Sequence, residues 1–257
     1  MRTRLDRIDP ADTANFESKH DVAEELERLR QRIRSLQARL FAERQRALLV
    51  VLQGMDTSGK DGAVRSVFAA LDPHAARAWS FKAPTADELA HDFLWRLHAR
   101  VPARGEIVFF NRSHYEDVVT ARVRGLVPEE VWRQRYETIN AFERLLVDSG
   151  TSVLKFFLHI SKDEQKRRLE RRLSDPEKRW KFDPSDLSER ARWGAYMEAY
   201  SEAIERCSLP QAPWHVVPSD KKWYRDLVIA RVVAAALETI DPRYPDSGDL
   251  NGRTVER

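Results

Sequence analysis

The chain has 257 residues, 42% of them hydrophobic and 33% charged, with a net charge of +3. That is enough apolar material for a real core, and the surface is mixed in charge rather than a basic tail for coating nucleic acid. The one cysteine, Cys207, excludes an intrachain disulfide and suits a reducing, cytoplasmic compartment; no apolar run reaches the roughly 18 residues of a membrane helix, and the N-terminus lacks a secretory apolar stretch.

Residues 1–20 read as polar and irregular. From Asp21, the apolar positions Val22, Leu26, Leu29, Ile33, Leu36 and Leu40 recur at alternating steps of four and three. They predict a helix with Asp21 and Glu24 as a capping box, its seam facing either the core or another subunit. Residues 1–45 are therefore expected to be a helical extension. Leu48–Leu52 is short and wholly apolar, as a strand buried on both faces should be.

That strand runs into GMDTSGKDG, residues 54–62. Gly54, Gly59 and Lys60 have the G-x-x-x-x-G-K spacing of a phosphate-binding loop, in which successive N–H groups make an anion nest at a helix N-terminus. Ser58, Asp61 and Gly62 fall in the same nest. Asp61 stands where Ser or Thr would hold magnesium. A carboxylate inside the loop, Asp56, repels phosphate unless a divalent cation lies between, so it reads as a metal or metal-water ligand.

The chain then alternates. A helix is expected over 63–71, a strand over 77–81 and a helix from Thr85 with Glu88 in a capping box and Leu89, Phe93 and Leu97 on its apolar face. Further strands are expected at 107–110, 153–160 and 214–217, and helices at 128–147, 163–173, 187–206 and 226–240. Strand–helix alternation predicts an α/β fold: a three-layer α/β/α P-loop kinase with a five-stranded parallel sheet and a helical lid, spanning 46–245, then a polar tail over 246–257. Ligands of such sheets bind at the carboxyl ends of the strands.

Three segments reach that edge. FKAPT brings Lys82, and the next helix brings Arg96, both candidates for a nucleotide; His91 on the same helix reads as structural. NRSHYEDV brings Asn111, which can orient phosphate or metal-bound water, and Arg112, which can grip phosphate bidentately. Glu116 and Asp117 are candidates for acceptor or metal binding, and Arg122 for nucleotide. The third segment, within an expected lid at about 163–190, carries eight basic residues between Lys166 and Lys181. Arg168, Arg172, Arg179 and Lys181 are the candidates to cover transferring phosphates. No Cys/His cluster suggests zinc, and no Ser/His/Asp order suggests acyl transfer.

In GMDTSGKDG, FKAPT, HDFLWR at 91, FFNRSHYEDV at 109, the RW-KF-P-DL pattern from Arg179 and APWHVVPSDKKWYR at 212, the chain resembles the polyphosphate kinase 2 family. The resemblance runs from about Ala47 to Pro245. It implies reversible transfer of the terminal phosphoryl group of inorganic polyphosphate to AMP or ADP, with Mg2+ or Mn2+. Guanine nucleotides are a further acceptor class, and a homodimer or homotetramer is implied. By the same resemblance Asp56 and Lys60 are catalytic, Asn111 and Arg112 lie in the second motif, Glu116 accommodates the acceptor and Asp117 joins Asp56 at the metal. Asn111 with HYED resembles the subgroup that accepts both AMP and ADP. Two rival readings are an ATP-dependent kinase of the thymidylate kinase type, separated by comparing ATP with polyphosphate as donor, and a non-catalytic polyphosphate-binding regulator, which would bind without turnover.

Overall fold

In the computed structural model the apolar run forms β1 (Ala47–Gln53), buried along its whole length. The structure describes residues 5–69 and 71–246, so the expected polar tail, apart from Asp246, lies outside the described residues. β1 pairs in parallel with β3 (Ile107–Asn111) on one side and β4 (Thr151–His159) on the other. β2 (Ala76–Ser80) and β5 (Trp214–Pro218) complete a five-stranded parallel sheet in the order β2-β3-β1-β4-β5. Alternating residues of β1 feed two cores, as a pleated strand requires: Leu49 and Val51 on one face, Leu48, Val50 and Leu52 on the other.

The second face is covered by α1 (Lys19–Glu43), α2 (Lys60–Phe68) and α10 (Lys222–Ile240). The seam of α1 lies on its own core: Val22, Ile33, Leu36 and Leu40 are buried. Its cap differs from the expected pair. Ser18 is the N-cap, and Asp21, at the third helical position, returns its carboxylate to the Ser18 N–H at 2.8 Å. The hydroxyl one turn earlier captures Asp21, so Glu24 is not part of the box.

The first face is covered by α5 (Val119–Arg124), α6 (Glu129–Asp148) and α9 (Trp193–Cys207). Two expected helices are broken. The stretch after Thr85 gives only α3 (Ala86–Leu89) and α4 (Trp95–His98), because the Asp92 carboxylate takes the Leu94 N–H at 2.9 Å in place of a helical carbonyl. Leu89 is consequently exposed, whereas Leu97 is buried. The stretch 187–206 divides into α8 (Ser185–Ala191) and α9, with Arg192 off helical geometry. That bend lets Glu189 meet the Tyr196 hydroxyl, two helical turns away in sequence. α7 (Lys162–Ser174), capped by the Ser161 hydroxyl, leaves the carboxyl edge of β4.

The first residues are not a loose prelude. Leu5 is buried among the residues of the first core, while Phe16 meets Tyr224 of α10 on the other side. Between them the chain crosses the carboxyl edge of the sheet. The carbonyl of Ile8 faces His159 Nε2 (3.1 Å), and that of Pro10 accepts from the Asp220 N–H (3.0 Å).

Candidate active site

The loop between β1 and α2 follows from its glycines. Gly54 (φ 150°) passes so close to the Leu158 carbonyl that a Cβ would lie 2.7 Å from it. Gly59 (φ 101°) is the left-handed N-cap of α2, and a Cβ there would collide with the Arg225 guanidinium. The loop thus turns tightly into a helix whose first residue is Lys60, with the unpaired amides of that end open to an anion.

Lys60 is buried, and its ammonium donates to the carbonyls of Gly54 (2.7 Å) and Met55 (3.2 Å). Burial, with help from the charge of Arg112, pulls its pKa down to about 8 against the attraction of Asp56, Glu116 and Asp61. A lysine so poorly solvated gains from an arriving phosphate.

β3 ends in a second sharp turn. Arg112 has a left-handed backbone (φ 63°), and its N–H donates to Leu52 at the end of β1 (3.0 Å). Its guanidinium reaches across to Asp56 Oδ1 at 2.8 Å. Burial opposes the charge on Arg112, but Glu116 and Asp56 outweigh it and raise its pKa. Asn111 donates to Asp61 Oδ1 at 2.6 Å, and Lys181 approaches the other oxygen at 3.8 Å. The structure therefore gathers Asp56, Lys60, Asp61, Asn111, Arg112 and Glu116 around the loop, with Lys181 above it. Ser58 is buried within the loop, its hydroxyl without a partner among the described residues.

Glu116 is held from below. Thr120 donates to its Oε2 (2.6 Å), and Gln53, with its amide turned to satisfy both neighbours, donates to its Oε1 (3.0 Å) while accepting from Ser113. Asp117 has other company than Asp56. Its carboxylate lies between Arg96 (3.9 Å) and Arg135 (3.8 Å), and burial raises its pKa to about 6. Among the described residues no hydrogen bond or ion pair joins Asp117 to Asp56 or Lys60. Adjacent residues on this 3-10 turn, His114–Asp117, thus keep different company: Glu116 acts on Lys60 and Arg112, whereas Asp117 lies against Arg96 and Arg135.

The remaining candidates divide. Arg96 is buried: it donates to the Lys82 carbonyl (2.8 Å) and packs on Phe81, while Lys82 itself is exposed. A cavity of about 240 Å3 lies there, lined by Trp79, Phe81, Glu88, Trp95, Arg96 and Arg100 among others. His91 is exposed and stacks on Trp95. Arg122 is occupied by Glu202 at 2.6 Å and by the face of Trp132. Arg172 bonds to the Lys181 carbonyl and to Asp186, and Arg179 to the Leu173 carbonyl, so both fold the segment after α7 upon itself.

Arg168 departs most from expectation. It is buried, and its guanidinium donates to the carbonyls of Thr57 (2.9 Å), Ser58 (3.0 Å), Ser219 (2.6 Å) and Asp220 (3.0 Å), with Glu164 on Nε (2.7 Å). It braces the back of the loop rather than covering its mouth. Arg225 does the same at Gly59, donating to its carbonyl at 3.1 Å. In the sequence Arg225 is the last residue of the motif APWHVVPSDKKWYR, and nothing in that run marks it as the brace.

A further group escaped the sequence reading altogether. Glu143 and Lys155 are an ion pair with no exposed surface. Tyr115 donates to Glu143 (2.8 Å) and accepts from Lys155 (3.0 Å), His114 Nε2 faces Glu143 (3.2 Å), and Lys155 also donates to the Cys207 carbonyl (2.6 Å). This network underlies the turn that carries Arg112 and Glu116. The one available signal was a lysine inside the apolar run of β4.

The sequence pattern of the Polyphosphate kinase 2 family matches residues 16–245. A protein of Meiothermus ruber named AMP/ADP-polyphosphate phosphotransferase is 51% identical over 255 residues, 99% of this chain and 96% of its own. The ADP-polyphosphate phosphotransferase of Rhodopseudomonas palustris is 40% identical over 94% of this chain and 86% of its own. The crystal structure of polyphosphate kinase 2 from Arthrobacter aurescens TC1 superposes with a TM-score of 0.92 at 44% identity, covering 95% of this chain and 88% of that one.

Proposed function

Because the chain belongs to the polyphosphate kinase 2 family, we propose that its phosphate loop takes the end of an inorganic polyphosphate chain and passes the terminal phosphoryl group to AMP and ADP. The observation that carries this reading is the clustering of Lys60, Arg112 and Asp56 at a loop of open amides, with a basic segment above it.

Among the described residues no group of three or more His, Cys, Asp or Glu could hold a metal by itself. That fits Mg2+, which keeps several waters and binds through one or two carboxylates together with substrate phosphates. Asp56 would hold it, with Glu116 as second carboxylate, and Mn2+ could replace it. When bound, the ion neutralises phosphate oxygens and lets two anions approach.

The chain's own part is positioning and charge. The loop amides and Lys60 bind the terminal phosphate of the donor. Arg112, fixed by Asp56, lies where charge spreads over the equatorial oxygens during transfer. Lys181 and its neighbours over 175–185 serve as the lid, which excludes water. The attacking nucleotide phosphate is already ionised near neutral pH, so no strong general base is required. The acceptor lies on the β2–β3 side, with its base in the cavity beside Arg96. The Asp117–Arg96–Arg135 cluster shapes that wall rather than binding metal.

The cytoplasm suits the free, buried Cys207. No helix among the described residues is long and apolar enough to cross a membrane. A homodimer or homotetramer and acceptance of guanine nucleotides complete the proposal. Incubation with Mg2+, polyphosphate and AMP, ADP or GMP, followed by separation of the nucleotides, tests it. The expected products are ADP and ATP, and their absence with every acceptor refutes the reading.

A further inference from the structure

A donor nucleotide with its phosphates in the loop must lay its base along the carboxyl edge of the sheet, since ligands of an open parallel sheet sit outside the strand ends. With the acceptor on the β2–β3 side, the donor extends toward β4 and β5. The loop after β5, Ser219–Lys221, is the element there that could recognise a base through its backbone. The hydrogen-bonding groups of Ser219 and Asp220 are taken. The Ser219 N–H donates to His159 O (2.8 Å), and the Asp220 N–H to Pro10 O (3.0 Å). Both carbonyls, Ser219 and Asp220, accept from Arg168 (2.6 and 3.0 Å). The Asp220 carboxylate accepts from the N–H and hydroxyl of Ser161, each at 2.8 Å, and the Ser219 hydroxyl donates to Val217 O (2.8 Å). The Lys221 carbonyl is taken by the first turn of α10.

Two devices saturate Ser219 and Asp220. Arg168 fills the gap between it and the phosphate loop. From outside, the N-terminal segment straps over it, anchored at one end by buried Leu5 and at the other by Phe16 against Tyr224. What the donor side offers in place of a base pocket is positive charge. Arg168, Arg225 and Arg171 all act on Lys222 and, after partial desolvation, lower its pKa. A base gains nothing among such groups, whereas each further phosphate does.

We infer that the donor side of this enzyme is closed to nucleobases, and that the strap Leu5–Phe16, with Arg168, is the element that restricts the donor to a bare phosphate chain. The inference rests on the reading of polyphosphate as donor.

Two probes test it on the full-length protein with Mg2+. Adenosine 5′-pentaphosphate carries one base for the acceptor side and a phosphate chain for the donor side. Diadenosine pentaphosphate adds a second base at the donor end. The one-base probe should compete with both AMP and polyphosphate, and the second adenosine should leave its affinity unchanged or weaken it. Tightening by about tenfold or more (about 1.4 kcal/mol) would mean that a donor-base site exists and would overturn the inference. If the one-base probe fails to compete with polyphosphate, the donor reading falls and this inference with it. Leu5→Asp, which unseats the strap, should shift the ratio toward the two-base probe. An unchanged ratio in folded Leu5→Asp protein removes the strap from the account, and the wild-type comparison stands whether or not that variant folds.

Discussion

The Arg112 guanidinium reaches Asp56 Oδ1 at 2.8 Å from a left-handed backbone at the end of β3, so one ion pair joins the second motif to the phosphate loop. Arg112→Lys keeps the charge but loses the planar fork. We expect kcat to fall by roughly 10²–10³-fold, as for loss of a preorganised transition-state donor. The pair is part-exposed, so stability should change by less than about 1 kcal/mol. Activity per folded molecule, with a denaturation curve alongside, checks both.

Lys60 sets a pH dependence. With its free-enzyme pKa at about 8, kcat/KM for polyphosphate should fall as pH rises through that value and the ammonium is lost. Stability moves the other way. Between pH 8 and the ordinary lysine value the unfolded chain binds more protons at this residue than the native one, so its unfavourable contribution fades as pH rises. A pH profile of kcat/KM that stays flat from 7 to 10 would contradict the assignment.

Arg168 and Arg179 should separate by kind of defect. Arg168→Ala strands four carbonyls in or near the interior, and we expect a loss of roughly 3 kcal/mol or more in urea denaturation. Arg179 is exposed, and Arg179→Ala should stay within about 0.5 kcal/mol of wild type while slowing transfer through the lid. Equal stability of the two variants would place Arg168 in the lid after all.

Glu143→Ala leaves the Lys155 charge buried without its partner. We expect destabilisation of about 3–5 kcal/mol, while the double variant Glu143→Leu with Lys155→Met recovers much of it. Thermal or chemical unfolding of the single and double variants reads this directly.

These contrasts mark what the sequence could disclose. The phosphate loop was legible because its physics is local: two glycines and a lysine at fixed spacing make an anion nest wherever they fold between strand and helix. The strands were legible because apolar runs flanked by turns leave few alternatives. Arg168 was not, since its neighbours Arg167, Arg171 and Arg172 have the same chemistry and only packing selects the one that turns inward. Glu116 and Asp117 were equally symmetric in sequence, and the turn His114–Asp117 decided which faces Lys60. The strap was invisible for a different reason. Between its apolar ends, Leu5 and Phe16, it is held by the backbone carbonyls of Ile8 and Pro10, which bond to residues some 150 to 210 positions away and leave no mark in residue type.

The central claim is a bare phosphate chain as donor at the Lys60 loop. The direct measurement supplies AMP and Mg2+ with either polyphosphate or ATP as the sole donor and follows nucleotide products over time. The account predicts ADP, then ATP, from polyphosphate, no phosphoryl transfer from ATP to AMP, and no product from Lys60→Ala. ADP formed from AMP with ATP but not with polyphosphate would contradict it.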